Sequence, residues 1–111
     1  RAAGTPRSGA VARRIARRAV QADFDQEVDP ALRPFFYLPF EHSEDPADQD
    51  LSVTLTQAHR DATGDEETLK WAIVHRDIIA RFGRFPHRNR ALGRETTPEE
   101  QTFLDDGGFA G

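Results

Sequence analysis

Cysteine and methionine are both absent from the 111 residues. Without thiols there is no disulfide framework, no thiolate nucleophile and no zinc–thiolate site. The missing methionine extends to position 1, where the chain opens Arg1-Ala2-Ala3-Gly4. A chain with that opening reads as a piece of a longer protein. No apolar run approaches the ~18 residues that a membrane-spanning helix needs. No charged–apolar–small secretory pattern opens the chain either. Seven prolines and eight glycines are too few for collagen-like or low-complexity classes. No stretch alternates apolar and β-branched residues with polar ones over strand length, which excludes an obvious sheet.

What is present is charge. Hydrophobic residues make up 37% of the chain and charged residues 31%, with a formal net charge of -4. The length fits one domain at most. Its core must draw on eight Phe, one Trp and one Tyr, because aromatic side chains bury large areas each. The charge is segregated: residues 1–22 hold six Arg and no acid, and residues 23–69 hold 13 acids against Arg33 and Arg60. Residues 70–94 are basic again, and residues 95–111 carry five acids and no base. Such blocks neutralise one another on folding. The alternative is two basic patches for phosphate or nucleic acid. Arginine outnumbers lysine 14 to 1, but GC-rich codon usage accounts for that equally well.

The punctuation predicts successive helices. Ser8 caps a helix over 9–22 whose apolar stripe is Val11, Ile15, Ala19 and Ala22. Asp29-Pro30 starts a segment to about His42, with a kink or break expected near Leu38-Pro39. Asp45-Pro46 restarts a helix that Gly64 ends, and Asp65 caps the next one, which stops at Gly83. The short connection makes these two an antiparallel hairpin. Pro86 opens a short helix ending at Gly93. Thr97-Pro98-Glu99-Glu100 is a capping box for a last helix. Residues 107–111 read as a frayed, disordered tail.

Two stretches are more distinctive than generic helix. One runs Arg33-Pro34-Phe35-Phe36-Tyr37-Leu38-Pro39-Phe40-Glu41-His42-Ser43-Glu44-Asp45. The other runs from His75-Arg76-Asp77 through Arg81-Phe82-Gly83-Arg84-Phe85-Pro86-His87-Arg88-Asn89 to Leu92-Gly93-Arg94 and Thr97-Pro98-Glu99-Glu100. Together they resemble the bacterial "domain of unknown function 924" family over about residues 33–104. The resemblance implies an all-α fold of antiparallel helical hairpins in a tetratricopeptide-like array. It also implies that N-terminal helices of the full family domain are lacking, so that residues 1–111 are a single helical domain or the C-terminal part of one. It brings no catalytic residues with it.

The chemistry must therefore come from the residues. Glu41, His42 and Glu44 cluster at a helix junction, where a carboxylate beside an imidazole could raise its basicity. Helix capping and pairing with an arginine are the bland reading of the same residues. His75, Arg76 and Asp77 point in three directions on one helix, and Asp77 has i,i+4 spacing to Arg81. Arg84, His87, Arg88 and Arg94 surround a helix break and a helix start, a setting that suits an anion. Interhelix salt bridges are again the bland alternative. His42, His59, His75 and His87 show no i,i+3 or i,i+4 pairing, so spacing assigns no metal and no cofactor, although His42, His75 and Glu41 could meet in space. Phe82, Arg84, Phe85 and Arg88 lack an RNA-binding context, so nucleic acid is not expected.

The leading expectation is a cytoplasmic binding module with a polar, anion-accepting groove for a peptide or small molecule. Its lining would be Glu41, His42, Glu44, His75, Arg84, His87, Arg88 and Arg94. A hydrolase using Glu41/His42 or His75/Asp77 as an acid–base pair is the first alternative. A purely structural helical scaffold segment, packing against missing helices or another chain, is the second.

Overall fold

The computed structural model describes residues 6–109. Six α-helices follow in order: α1 Pro6–Gln21, α2 Phe24–Glu27, α3 Arg33–Glu41, α4 Pro46–Thr63, α5 Glu66–Phe82 and α6 Pro98–Asp105. Two 3-10 turns, Pro30–Leu32 and Pro86–Arg88, precede α3 and lead toward α6. No strand occurs among the described residues. None of the helices is long and apolar enough to cross a membrane.

Local chemistry places most boundaries. The Asp45 carboxylate accepts from the Ala47 amide at 2.9 Å, with Pro46 opening α4. The Asp65 carboxylate accepts from the Thr68 amide at 3.1 Å and starts α5. The Thr97–Glu100 capping box forms in both directions, at 3.1 Å and 2.9 Å. Gly64 ends α4 at a φ of 80°, a left-handed conformation that costs glycine nothing. The tight Gly64-Asp65 link folds α5 back along α4. Val53, Leu69 and Ala72 pack between the two, with Ile73 beside them. Ile78, Ile79 and Phe85 form a second cluster with Val74, Phe82, Phe103 and Phe109. Helix α3 lies against α4, and α1 against α3.

The face of α4 turned inward is largely polar. Gln49, Ser52, Thr56 and His59 are buried there. The Gln49 amide donates to the carbonyls of Glu41 and Ser43, both at 2.6 Å. It thereby closes the end of α3 from the side, satisfying carbonyls that a helix terminus leaves open.

Several expectations fail for physical reasons. Helix α1 already includes Pro6, the first described residue, so Ser8 lies within the helix rather than at a cap. Its expected core stripe faces outward, with Val11 41% and Ile15 63% exposed, while Ala16 is buried. Charge sets this rotation. The Asp48 carboxylate, only 4% exposed, takes Arg13 at 3.2 Å and Arg17 at 2.6 Å. Leaving such a carboxylate uncompensated costs about 3–5 kcal/mol, against the part of roughly 1.5–3 kcal/mol per side chain that the partly exposed Val11 and Ile15 forfeit. Pro39 does not break α3, which runs through it to Glu41. The missing amide leaves one open acceptor, the carbonyl four residues back at Phe35, and Phe35 is exposed to water. The helix expected over 86–93 is a single 3-10 turn, followed by turns to Gly93. Asp77 does not pair with Arg81, which reaches Glu99 at 3.6 Å and stacks over Phe82 and Phe103.

Candidate functional site

The end of α3, the middle of α5 and the Pro86–Arg88 turn converge on an open cleft of about 730 Å³. Pro34, Leu38, Thr68, Trp71 and Phe109 supply much of its wall, and Glu41, His42, His75, His87 and Arg88 supply its charge-bearing chemistry. Glu41 is the last residue of α3 and His42 its C-cap, whose backbone N–H donates a hydrogen bond to the Leu38 carbonyl at 2.9 Å. Ser43 tightens the junction: its hydroxyl donates to Asp48 at 2.8 Å and accepts from the Asp45 amide at 3.1 Å. With the Gln49 clasp, these bonds fix where Glu41 and His42 emerge.

His75 is buried on α5, and its Nδ1 lies 2.7 Å from the Trp71 carbonyl. A carbonyl only accepts, so Nδ1 carries the proton and Nε2 keeps a lone pair. Glu41 Oε2 stands 3.7 Å from His42 Nε2 and 3.7 Å from His75 Nδ1. These distances exceed hydrogen-bond reach. Glu41 is therefore a carboxyl only 7% exposed, with neighbours poised around it but no bond that fixes its charge. Burial alone pushes its pKa up to about 7. Burial is also the main cause that lowers His42, His75 and His87, and the Arg88 guanidinium lowers each further. The three imidazoles are consequently biased toward the neutral form at pH 7.

Arg88 lies over the Phe85 ring at 4.6 Å, and burial lowers its pKa from the ordinary arginine value. Among the described residues no carboxylate stands within ion-pair distance of it. The Nδ1 of His87 is buried without a hydrogen-bond partner there. Phe109 closes the cleft: its ring centroid is 4.7 Å from that of His75, 5.5 Å from His87 and 5.7 Å from Trp71. Residues 107–109, expected to fray, thus fold back over the site, while residues 110–111 lie outside the described residues. Gly108 permits the reversal, because a Cβ there would meet the Phe103 carbonyl oxygen at 2.5 Å.

Five of the eight expected site residues meet in this cleft, and three do not line it. Glu44 accepts from the Phe85 amide at 2.7 Å and from both terminal nitrogens of Arg94 at 2.8 Å and 3.1 Å. Burial opposes ionisation of Glu44, but Arg94 and the amide together hold its pKa below the usual value. Arg84 forks onto Glu100 at 2.9 Å and 2.8 Å and also donates to the Glu95 carbonyl at 2.7 Å. All three side chains are engaged in salt bridges. His75 and Asp77 do not act together: His75 is buried, and Asp77 is exposed beside Arg76 at 3.6 Å. The sequence reading missed the apolar wall. Trp71 stands four residues before His75 on one helix, a spacing that already put both on one face. Phe109 carried no comparable signal.

A family model described as "Bacterial protein of unknown function (DUF924)" matches residues 7–108. The match extends beyond the 33–104 stretch of the two motifs and takes in α1. It gives no support to reading the chain as only the C-terminal portion of that domain. A solved structure of a protein of unknown function from Agrobacterium tumefaciens is 45% identical to the chain, with a TM-score of 0.84. The similarity covers 95% of this chain and 58% of that one, so the chain spans less than two thirds of that relative's length. No curated protein matches the chain.

Proposed function

The chain belongs to the DUF924 family of bacterial proteins of unknown function, and from that premise we propose a binding module whose cleft accepts the anionic group of a small molecule or peptide at Arg88 and His87. One observation carries this reading. Arg88 reaches the cleft without a carboxylate partner among the described residues, whereas Arg84 and Arg94 are each committed to one. A guanidinium taken partly out of water with no carboxylate bonded to it favours an incoming anion. Leu38, Trp71 and Phe109 offer an apolar wall for the rest of the ligand. A largely apolar pocket with a few placed polar groups is the usual form of a small-molecule site. The tetratricopeptide-like stacking of hairpins and a cytoplasmic location belong to the same proposal. The packing of α3 on α4 and of α4 on α5 supports the first of these.

The test is thermal stability with inorganic phosphate, a nucleotide and a dicarboxylate in turn. Ligand at 100 times its Kd stabilises by about 2.7 kcal/mol, so one anion class is expected to raise the melting temperature measurably. Arg88→Ala is expected to abolish that rise while keeping a cooperative melt. No protection by any anion would sink the proposal.

A second reading, hydrolysis with Glu41 and His42 as the acid–base pair, has the 3.7 Å approach of their side chains in its favour. It predicts turnover of a phosphate or carboxylate ester that Glu41→Gln removes without unfolding the chain. Equal rates in parent and variant would dismiss it.

A further inference from the structure

The donor atoms of Glu41, His42 and His75 lie within 4.8 Å of one another on one side of the cleft. We propose that these three residues form a site for a divalent transition ion of the zinc class, open to the cleft on its remaining positions. The proposal stands independently of the anion reading, because it uses neither Arg88 nor His87.

The donor set fits this class of ion. Two imidazoles and one carboxylate are the ligands that borderline ions such as Zn²⁺ take when one position is left open. Hard ions such as Mg²⁺ and Ca²⁺ prefer oxygen donors only. The His75 ring is also oriented by a second bond. His75 donates Nδ1–H to the Trp71 carbonyl at 2.7 Å. That bond fixes the ring and leaves Nε2 as the nitrogen free to take the ion; the 3.7 Å approach of Glu41 is to Nδ1, so the Glu41 carboxylate must swing toward Nε2 as the site closes. The carboxylate is also unclaimed. Glu41 is buried with no cation bonded to it among the described residues, so an incoming ion would meet an uncompensated carboxylate.

Mobility completes the site. Zinc–ligand bonds are about 2.0–2.2 Å, so donors as far apart as 4.8 Å must close in on the ion. The His42 side chain is 52% exposed and can turn inward, while the buried His75 ring, held at Nδ1 by Trp71, is the fixed part. The open positions face the space that Trp71 and Leu38 border.

The experiment is a titration of the full, tag-free chain with Zn²⁺ by calorimetry, and with Co²⁺ by its visible absorption. Mg²⁺ serves as the hard-ion comparator. One equivalent of Zn²⁺ is expected to bind, and Co²⁺ is expected to show the intensified visible band of low coordination. His42→Ala changes a half-exposed side chain and should fold. It is expected to weaken Zn²⁺ at least tenfold and to remove the band. Absence of a stoichiometric Zn²⁺ site, indifference to His42→Ala, or preference for Mg²⁺ would each overturn the proposal. Loss of phosphate protection in Arg88→Ala with Zn²⁺ retained separates a failure here from a failure of the anion site.

Discussion

Replacing Glu100 by alanine lowers the stability of the chain by about 3 kcal/mol, the scale of removing one partner of a buried ion pair. For a domain near this size that is roughly 10–20 °C in melting temperature. Glu100 is 3% exposed and accepts four bonds: two from Arg84 at 2.9 Å and 2.8 Å, one from Asn89 at 3.2 Å and one from the Thr97 amide at 2.9 Å. Asn89 is itself fully buried, so its amide would lose a partner with no water to replace it. The bonds from Arg84 foremost, with those from Thr97 and Asn89, outweigh burial and hold the carboxyl down to about 2. The folded pKa lies below the unfolded one, so the contribution is complete above about pH 4.5 and is lost as pH falls through 2. Glu100→Gln retains a cap acceptor and is expected to cost less than alanine, and its deficit relative to the parent should shrink as pH falls from 4.5 toward 2. Chemical denaturation at pH 7 and pH 3 measures both quantities. A Glu100→Ala chain as stable as the parent would show that the Arg84–Glu100–Asn89 network is ornamental.

The same residue shows what could be read before the fold was known. The Thr97–Glu100 capping box is a local signal, settled by four consecutive residues, and it forms as written. Asp45, Gly64 and Asp65 behave alike, because each acts on amides or dihedrals within a few positions. What sequence alone could not resolve was which distant partner each charge would choose. Arg84 and Arg88 stand four residues apart in a basic block, yet one is clamped by Glu100 and the other enters the cleft. Glu41 and Glu44 are separated by three residues, yet Glu44 takes Arg94 across 50 positions and Glu41 takes no bonded partner among the described residues. The rotation of α1 failed for the same cause: the pull of Asp48 on Arg13 and Arg17 is a tertiary effect that hydrophobic spacing does not record. Phe109 was lost among glycines, and only the return of the chain over His75 gives it a place.

Glu41→Gln is expected to do the opposite of Glu100→Ala and stabilise the protein at neutral and alkaline pH. His42 at the end of α3, His75 on α5, and His87 and Arg88 of the Pro86–Arg88 turn are the titratable groups around the Glu41 carboxyl in the cleft. None of them bonds to it, and burial raises it to about 7. In the unfolded chain the same carboxyl titrates at its ordinary value near 4.5. Between those values the unfolded state releases a proton that the folded state keeps, so stability falls as pH rises. Above about pH 7 both states are ionised and the penalty stays constant. Glutamine keeps the shape and removes the charge, which should add about 2 kcal/mol at pH 8 and close to nothing at pH 4. The comparison is made with a chelator present, so that no metal offsets the carboxylate. A gap that fails to widen from pH 4 to pH 8, or a variant weaker than the parent at every pH, would mean that Glu41 is a structural partner like Glu44. A widening gap would mean that the folded chain keeps a carboxylate at a cost to its own stability. Internal glue does not behave that way, whereas a group waiting for a cation or a substrate does.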